Sequence, residues 1–87
     1  MRVIKVIYDF DTDFICEIVD KVKENNIVEY YNVNLHKDSR KARPIQTRFG
    51  TKNLPLIVFE DENLVEVGAI WPEASPDWEV AIKKQLK

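Results

Sequence analysis

Residues 3 to 8 read V-I-K-V-I-Y, six strand-forming positions interrupted by a single charge. A strand with one wet face alternates apolar and polar residues. A nearly continuous run such as Val3, Ile4, Val6, Ile7 and Tyr8 instead suits a central strand covered on both faces. The rest of the chain therefore has to supply a layer for each side of a sheet.

The remaining pattern supplies those layers. Thr12 or Asp13 is placed to cap a helix whose apolar residues Phe14, Ile15, Ile18, Val19 and Val22 recur at three- and four-residue spacing, with Asn25 and Asn26 ending it. Residues 27–35, IVEYYNVNL, are rich in β-branched and aromatic residues and predict a second strand. From Asp38 to Gly50, Ala42, Ile45 and Phe49 form a buried stripe. Pro44 opens helices but does not belong inside one, so a short or irregular helix is expected there. Two apolar runs flank Asp61, Glu62 and Asn63 as a β-hairpin. Ser75 as cap, with Pro76 and Asp77 in the first turn, then opens a last helix over WEVAIKKQL, with Trp78 in the core and lysines 83, 84 and 87 near its end. The order is βαβαββα in one α/β domain over residues 1–87: a four-stranded mixed sheet with helices on both faces, its first β-α-β a right-handed parallel unit.

Composition narrows the function. Apolar residues are 45% of the chain and charged residues 32%, and no stretch approaches the roughly 20 apolar residues that cross a bilayer, so no membrane role is expected. Met1 leads at once into strand-like sequence, which makes the cytoplasm the expected compartment. Cys16 is the single cysteine, excluding an internal disulfide and a multi-cysteine metal site. The net charge of −2 is uneven. Lys37, Arg40, Lys41, Arg43, Arg48 and Lys52 face only Asp38 between His36 and Lys52, giving +5 locally and −7 elsewhere. This is either a solvated helix face or a surface for an anion or acidic partner. With no recognition motif and an acidic total, nucleic acid is not the expected partner. His36, with no clear partner nearby in sequence, is expected at the surface.

The stretch YDFDTDFICEIVD holds what chemistry there is. Asp9, Asp11, Asp13 and Asp20 match positions 1, 3, 5 and 12 of a calcium loop, but Phe14 stands where that loop needs glycine and a strand precedes it, so no metal is expected. A strand ending in D-x-D also suits an aspartyl-nucleophile phosphatase, a far larger domain than 87 residues provide. Capping and solvation of a strand-to-helix loop explains the aspartates better.

The element order, with Leu54-Pro55 opening the third strand in NLPLIVF, resembles the glutaredoxin branch of the thioredoxin-like family over nearly the whole chain. The resemblance implies a cis bond before Pro55, facing the active site. It also implies that the two thiol positions of C-x-x-C fall on Asp13 and Cys16, so the motif here reads D-F-I-C. A carboxylate at the attacking position can accept helix amides as an N-cap, contributing about 1 kcal/mol, but cannot form a mixed disulfide. Its charge should discourage ionisation of Cys16 one turn away. Where the family has T-V-P this chain has Asn53, Leu54 and Pro55, and of the family's Gly-Gly only Gly68 remains, followed by Ala69, Ile70 and Trp71. Glutathione is the ligand that the resemblance would bring, but these departures leave no cofactor expected.

In such a fold Phe10, Asp13, Phe14, Leu54, Pro55, Gly68 and Trp71 would border one groove beside Cys16. The aromatics there either close the core under the loop or present a surface for a peptide or protein. Two functions follow: a binding module without dithiol chemistry, or a monothiol glutaredoxin-like oxidoreductase using Cys16 as its catalytic group, with glutathione as the co-substrate that the resemblance would bring.

Overall fold

The computed structural model describes residues 1–50, 53–72 and 77–86. Strand β1 (Val3–Tyr8) leads through a single 3-10 turn (Phe10–Thr12) into α1 (Phe14–Val22). Then come β2 (Ile27–Asn32), α2 (His36–Phe49), β3 (Leu56–Glu60), β4 (Glu66–Ile70) and α3 (Trp78–Gln85). The sheet order is β2-β1-β3-β4, with β1 parallel to β2 and antiparallel to β3, and β4 antiparallel to β3.

The doubly covered strand is where the sequence puts it. Ile4 and Val6 join Ile57, Phe59 and Ile70 under α1 and α3, which contribute Ile15, Val19, Val22 and Ile82. Ile7, Leu56 and Val58 face the other way, against Ala42 and Ile45 of α2. The charge that interrupts β1 points to this second face. Lys5 Nζ lies 3.2 Å from Glu60 Oε2, and Glu60 keeps only 6% of its surface. A buried carboxylate needs such a partner, because desolvation of an unpaired charge costs several kcal/mol.

Three boundaries differ from the sequence reading. The second strand stops at Asn32, three residues early. The buried Asn32 side chain accepts from Asn34 N–H at 2.9 Å, and its own N–H donates to Asp38 Oδ2 at 3.1 Å, turning the chain into α2. α1 ends at Val22, and Asn26 instead ties the loop down, accepting from Arg2 N–H at 2.7 Å. The third difference is a correction: α2 runs for 14 residues with Pro44 inside it. Pro44 and Arg40, whose carbonyl loses its amide partner, are both exposed residues, so the freed acceptor lies on the solvent side of the helix, while Ala42 and Ile45 hold the helix to the sheet. Gly50 then ends α2 at φ 66, in the left-handed region.

At α3 the cap is Asp77 itself, accepting from Val80 N–H at 3.2 Å, and Trp78 packs half-buried against the larger core. Ser75, Pro76, Lys52 and Lys87 lie outside the described residues.

Candidate functional site

One end of the sheet collects the candidate residues. β1 finishes there, β3 starts there (Ile7 pairs with Leu56), and β4 finishes there (Ile70 pairs with Ile57). The 3-10 turn with Phe10, the start of α1 with Asp13 and Phe14, the Leu54-Pro55 bond and Trp71 consequently share this end. The Leu54-Pro55 peptide is cis.

The turn is built by Asp9. Its Oδ1 accepts from Thr12 N–H at 2.9 Å and Oγ1–H at 2.7 Å, while Thr12 Oγ1 accepts from Asp9 N–H at 2.9 Å. This reciprocal pair satisfies amides that the turn would otherwise leave open. Asp9→Ala should lower stability by about 1 kcal/mol, measured as a urea midpoint shift at unchanged slope. The expectation that Thr12 or Asp13 caps α1 through its side chain is thereby corrected. Asp13 occupies the N-cap position with helical backbone angles (φ −67, ψ −14) and makes no side-chain cap hydrogen bond. The capping carboxylate is four residues earlier because the 3-10 turn intervenes. Among the described residues no group of three or more His, Cys, Asp or Glu is arranged to hold a metal.

Cys16 is half-buried on the inner edge of α1. Burial raises its pKa above that of an ordinary thiol. A hydrogen bond with Tyr8 acts the other way, and the charges of Asp20 and Asp13 raise it further. Two tyrosines that the sequence reading left aside frame it. Tyr8 and Tyr30 meet edge to face, centroids 6.4 Å apart, and the Tyr30 hydroxyl donates to Asp20 and to the Cys16 carbonyl, the latter at 3.3 Å. Burial and these hydrogen bonds push both phenol pKa values up. The overlooked signal was parity. In the Ile4-Val6-Tyr8 and Val28-Tyr30 series, each tyrosine continues the apolar face turned to α1.

The other groove candidates divide. Phe10, Phe14 and Trp71 are 62%, 46% and 37% exposed, so they are not core under the loop. Pro55 is buried, and Leu54 packs on the α2 side with Ala42, Ile45 and Leu56. Gly68 is not brought to this end. It pairs with Phe59, four residues along β3 from Pro55, and a Cβ there would run into the Gln85 side chain of α3. Arg48 leaves the proposed anion surface, because its guanidinium pairs with Glu66 and lies over the Phe49 ring. Lys37, Arg40, Lys41 and Arg43 remain exposed on α2, and so does His36.

Four mixed strands in this order, helices on both faces and a cis-proline at the head of β3 define a thioredoxin-like α/β fold. A thioredoxin from Thermus thermophilus, solved in solution, is similar over 98% of this chain and 70% of its own, with a TM-score of 0.61 and 16% sequence identity. No protein-family model matches the chain, and no curated protein does. No helix among the described residues is long and apolar enough to cross a membrane.

Proposed function

We propose that this chain is a glutaredoxin-like binding module without dithiol chemistry, which takes a protein or peptide segment at the Phe10–Phe14–Trp71 end of its sheet. The observation that carries this reading is the pair Asp13 and Cys16. The first residue has no sulfur to exchange, and the second holds its proton through burial and two neighbouring carboxylates. Three partly exposed aromatic side chains around a cis-proline supply large, rigid contact area, the kind of surface that dominates interface energies.

Two measurements test the two halves. Iodoacetamide alkylation of Cys16 followed against pH should give a midpoint above the ~8.5 of free cysteine, since a raised pKa leaves the thiolate scarce until higher pH. A midpoint below about pH 7, together with disulfide reduction that disappears in Cys16→Ser, would establish the monothiol enzyme instead. For peptides selected on the immobilised domain, Trp71→Ala should weaken binding roughly 30-fold, as expected of a central aromatic anchor. Unchanged affinity in that variant removes this end of the sheet from the interface.

A further inference from the structure

The outer face of α2 carries a second recognition feature, separate from the aromatic end of the sheet. His36, Lys37, Arg40, Lys41 and Arg43 are all exposed, and none of their side chains takes part in a hydrogen bond or ion pair among the described residues. The helix's own acid forms no ion pair with them: the half-buried Asp38 accepts instead from Asn32 N–H at 3.1 Å. The contrast with α3 is informative. There Glu79 stands four residues before Lys83 with Nζ–Oε1 at 3.2 Å, and it also receives Lys21 at 3.6 Å. Opposite charges at that spacing support a helix by a few tenths of a kcal/mol each, and like charges oppose it by similar amounts. On α2 the pairs 37/40, 37/41 and 40/43 are all like-charged, and the helix also contains Pro44. Such a face is relieved when an anion covers it.

Its geometry limits what fits. His36, Ser39, Arg40 and Arg43 recur at i, i+3, i+4 and i+7 and line one open cleft of about 280 Å³. From His36 to Arg43 the helix rises about 10 Å. Alternate side chains of an extended segment stand roughly 7 Å apart, so two or three successive acids in an acid-x-acid-x-acid sequence span the cleft. Arginine forks pair well with carboxylates, and the Ser39 hydroxyl adds a neutral donor.

We infer that the His36–Arg43 face of α2 docks a short, extended, acidic segment of a partner protein. A long polyphosphate fits less well. Phe10 N–H donates to Asn34 Oδ1 at 2.7 Å, which brings the turn bearing Asp9, Asp11 and Asp13 beside the start of α2, and a strand continuing past the cleft would meet those carboxylates. A second copy of this chain also fits poorly. Its own alternating acids are folded into a 3-10 turn rather than extended, and Asp9 is already bonded to Thr12.

The test is fluorescence anisotropy with a labelled decapeptide of alternating aspartate and serine, using the asparagine–serine peptide as the uncharged control. Wild type should bind the acidic peptide at low salt and weaken as salt rises. Arg40→Glu/Arg43→Glu should lose at least tenfold, with Arg40→Gln/Arg43→Gln losing less. Lys83→Glu/Lys84→Glu, which changes net charge equally on the opposite side of the sheet, should bind like wild type. Thermal melts confirm that each variant is folded, and the glutamine pair serves if the reversal does not fold. No binding by wild type, equal losses in the two charge-reversed variants, or tighter binding to a ten-nucleotide single strand would each overturn the inference. So would a wild-type dimer that Arg40→Glu/Arg43→Glu dissociates, because the occupant would then be this chain itself.

Discussion

Lys5→Met alone should destabilise the protein by roughly 2–4 kcal/mol, and Lys5→Met/Glu60→Leu should recover most of that loss. Glu60 Oε2 has the Lys5 ammonium at 3.2 Å, but Glu60 Oε1 is buried without a hydrogen-bond partner. Removing the lysine strands a carboxylate that has no second source of compensation. The range is set below that of a fully buried pair because the Lys5 side chain keeps 24% of its surface in water. Replacing both charges with apolar residues of similar volume suits a face already lined by Val58 and Leu56. Urea unfolding reads both variants. For a domain of this size the single change removes a large share of a total stability of about 4–13 kcal/mol. Equal midpoints for the single and double variants would mean that the stranded Glu60 carboxylate is not what makes the single change costly.

Asp13→Cys should convert this chain from one that cannot form an internal disulfide into one that does. Cys16 N–H donates to the Asp13 carbonyl at 3.0 Å, so the two residues sit on the first turn of α1, where Cα atoms three apart lie about 5 Å from each other. That separation falls within the Cα–Cα range of a disulfide. The Asp13 carboxylate leaves the first-turn amides without a side-chain cap, and those amides would stabilise an introduced thiolate. The substitution also removes a carboxylate that raises the Cys16 pKa. Mild oxidation should lower the mass by two hydrogens and protect both sulfurs from alkylation. Two freely alkylated thiols after oxidation would show that the register relating Asp13 and Cys16 to a C-x-x-C pair is wrong.

Most of the fold was legible because burial on two faces leaves a strong mark. The V-I-K-V-I-Y and L-I-V-F runs admit few arrangements other than central strands, and β1 and β3 are indeed the middle pair. The α2 boundaries were not legible. Local preference places Pro44 at a helix start, but tertiary packing of Ala42 and Ile45 overrides it, and both Pro44 and Arg40, the residue whose carbonyl loses its partner, are exposed. At the site, the exposed aromatics could be named from the sequence but not their exposure, which depends on how far the 3-10 turn lifts Phe10 from the core. The Tyr8–Tyr30 frame around Cys16 required the strand register, and so did the displacement of Gly68 from Pro55. Arg48 looked like its basic neighbours until the sheet set Glu66 beside it.

The sheet separates two apolar layers of unequal size. Nine buried residues lie on the α1–α3 side and five on the α2 side, among those described. The thinner layer holds its helix with few anchors, and that helix has a proline in its third turn. Sub-global opening that releases α2 while β1, β3, α1 and α3 stay assembled is therefore a low-cost excursion for this chain. An occupant on the cationic face of α2 would then do more than neutralise charge: by mass action it would fasten the looser half of the molecule.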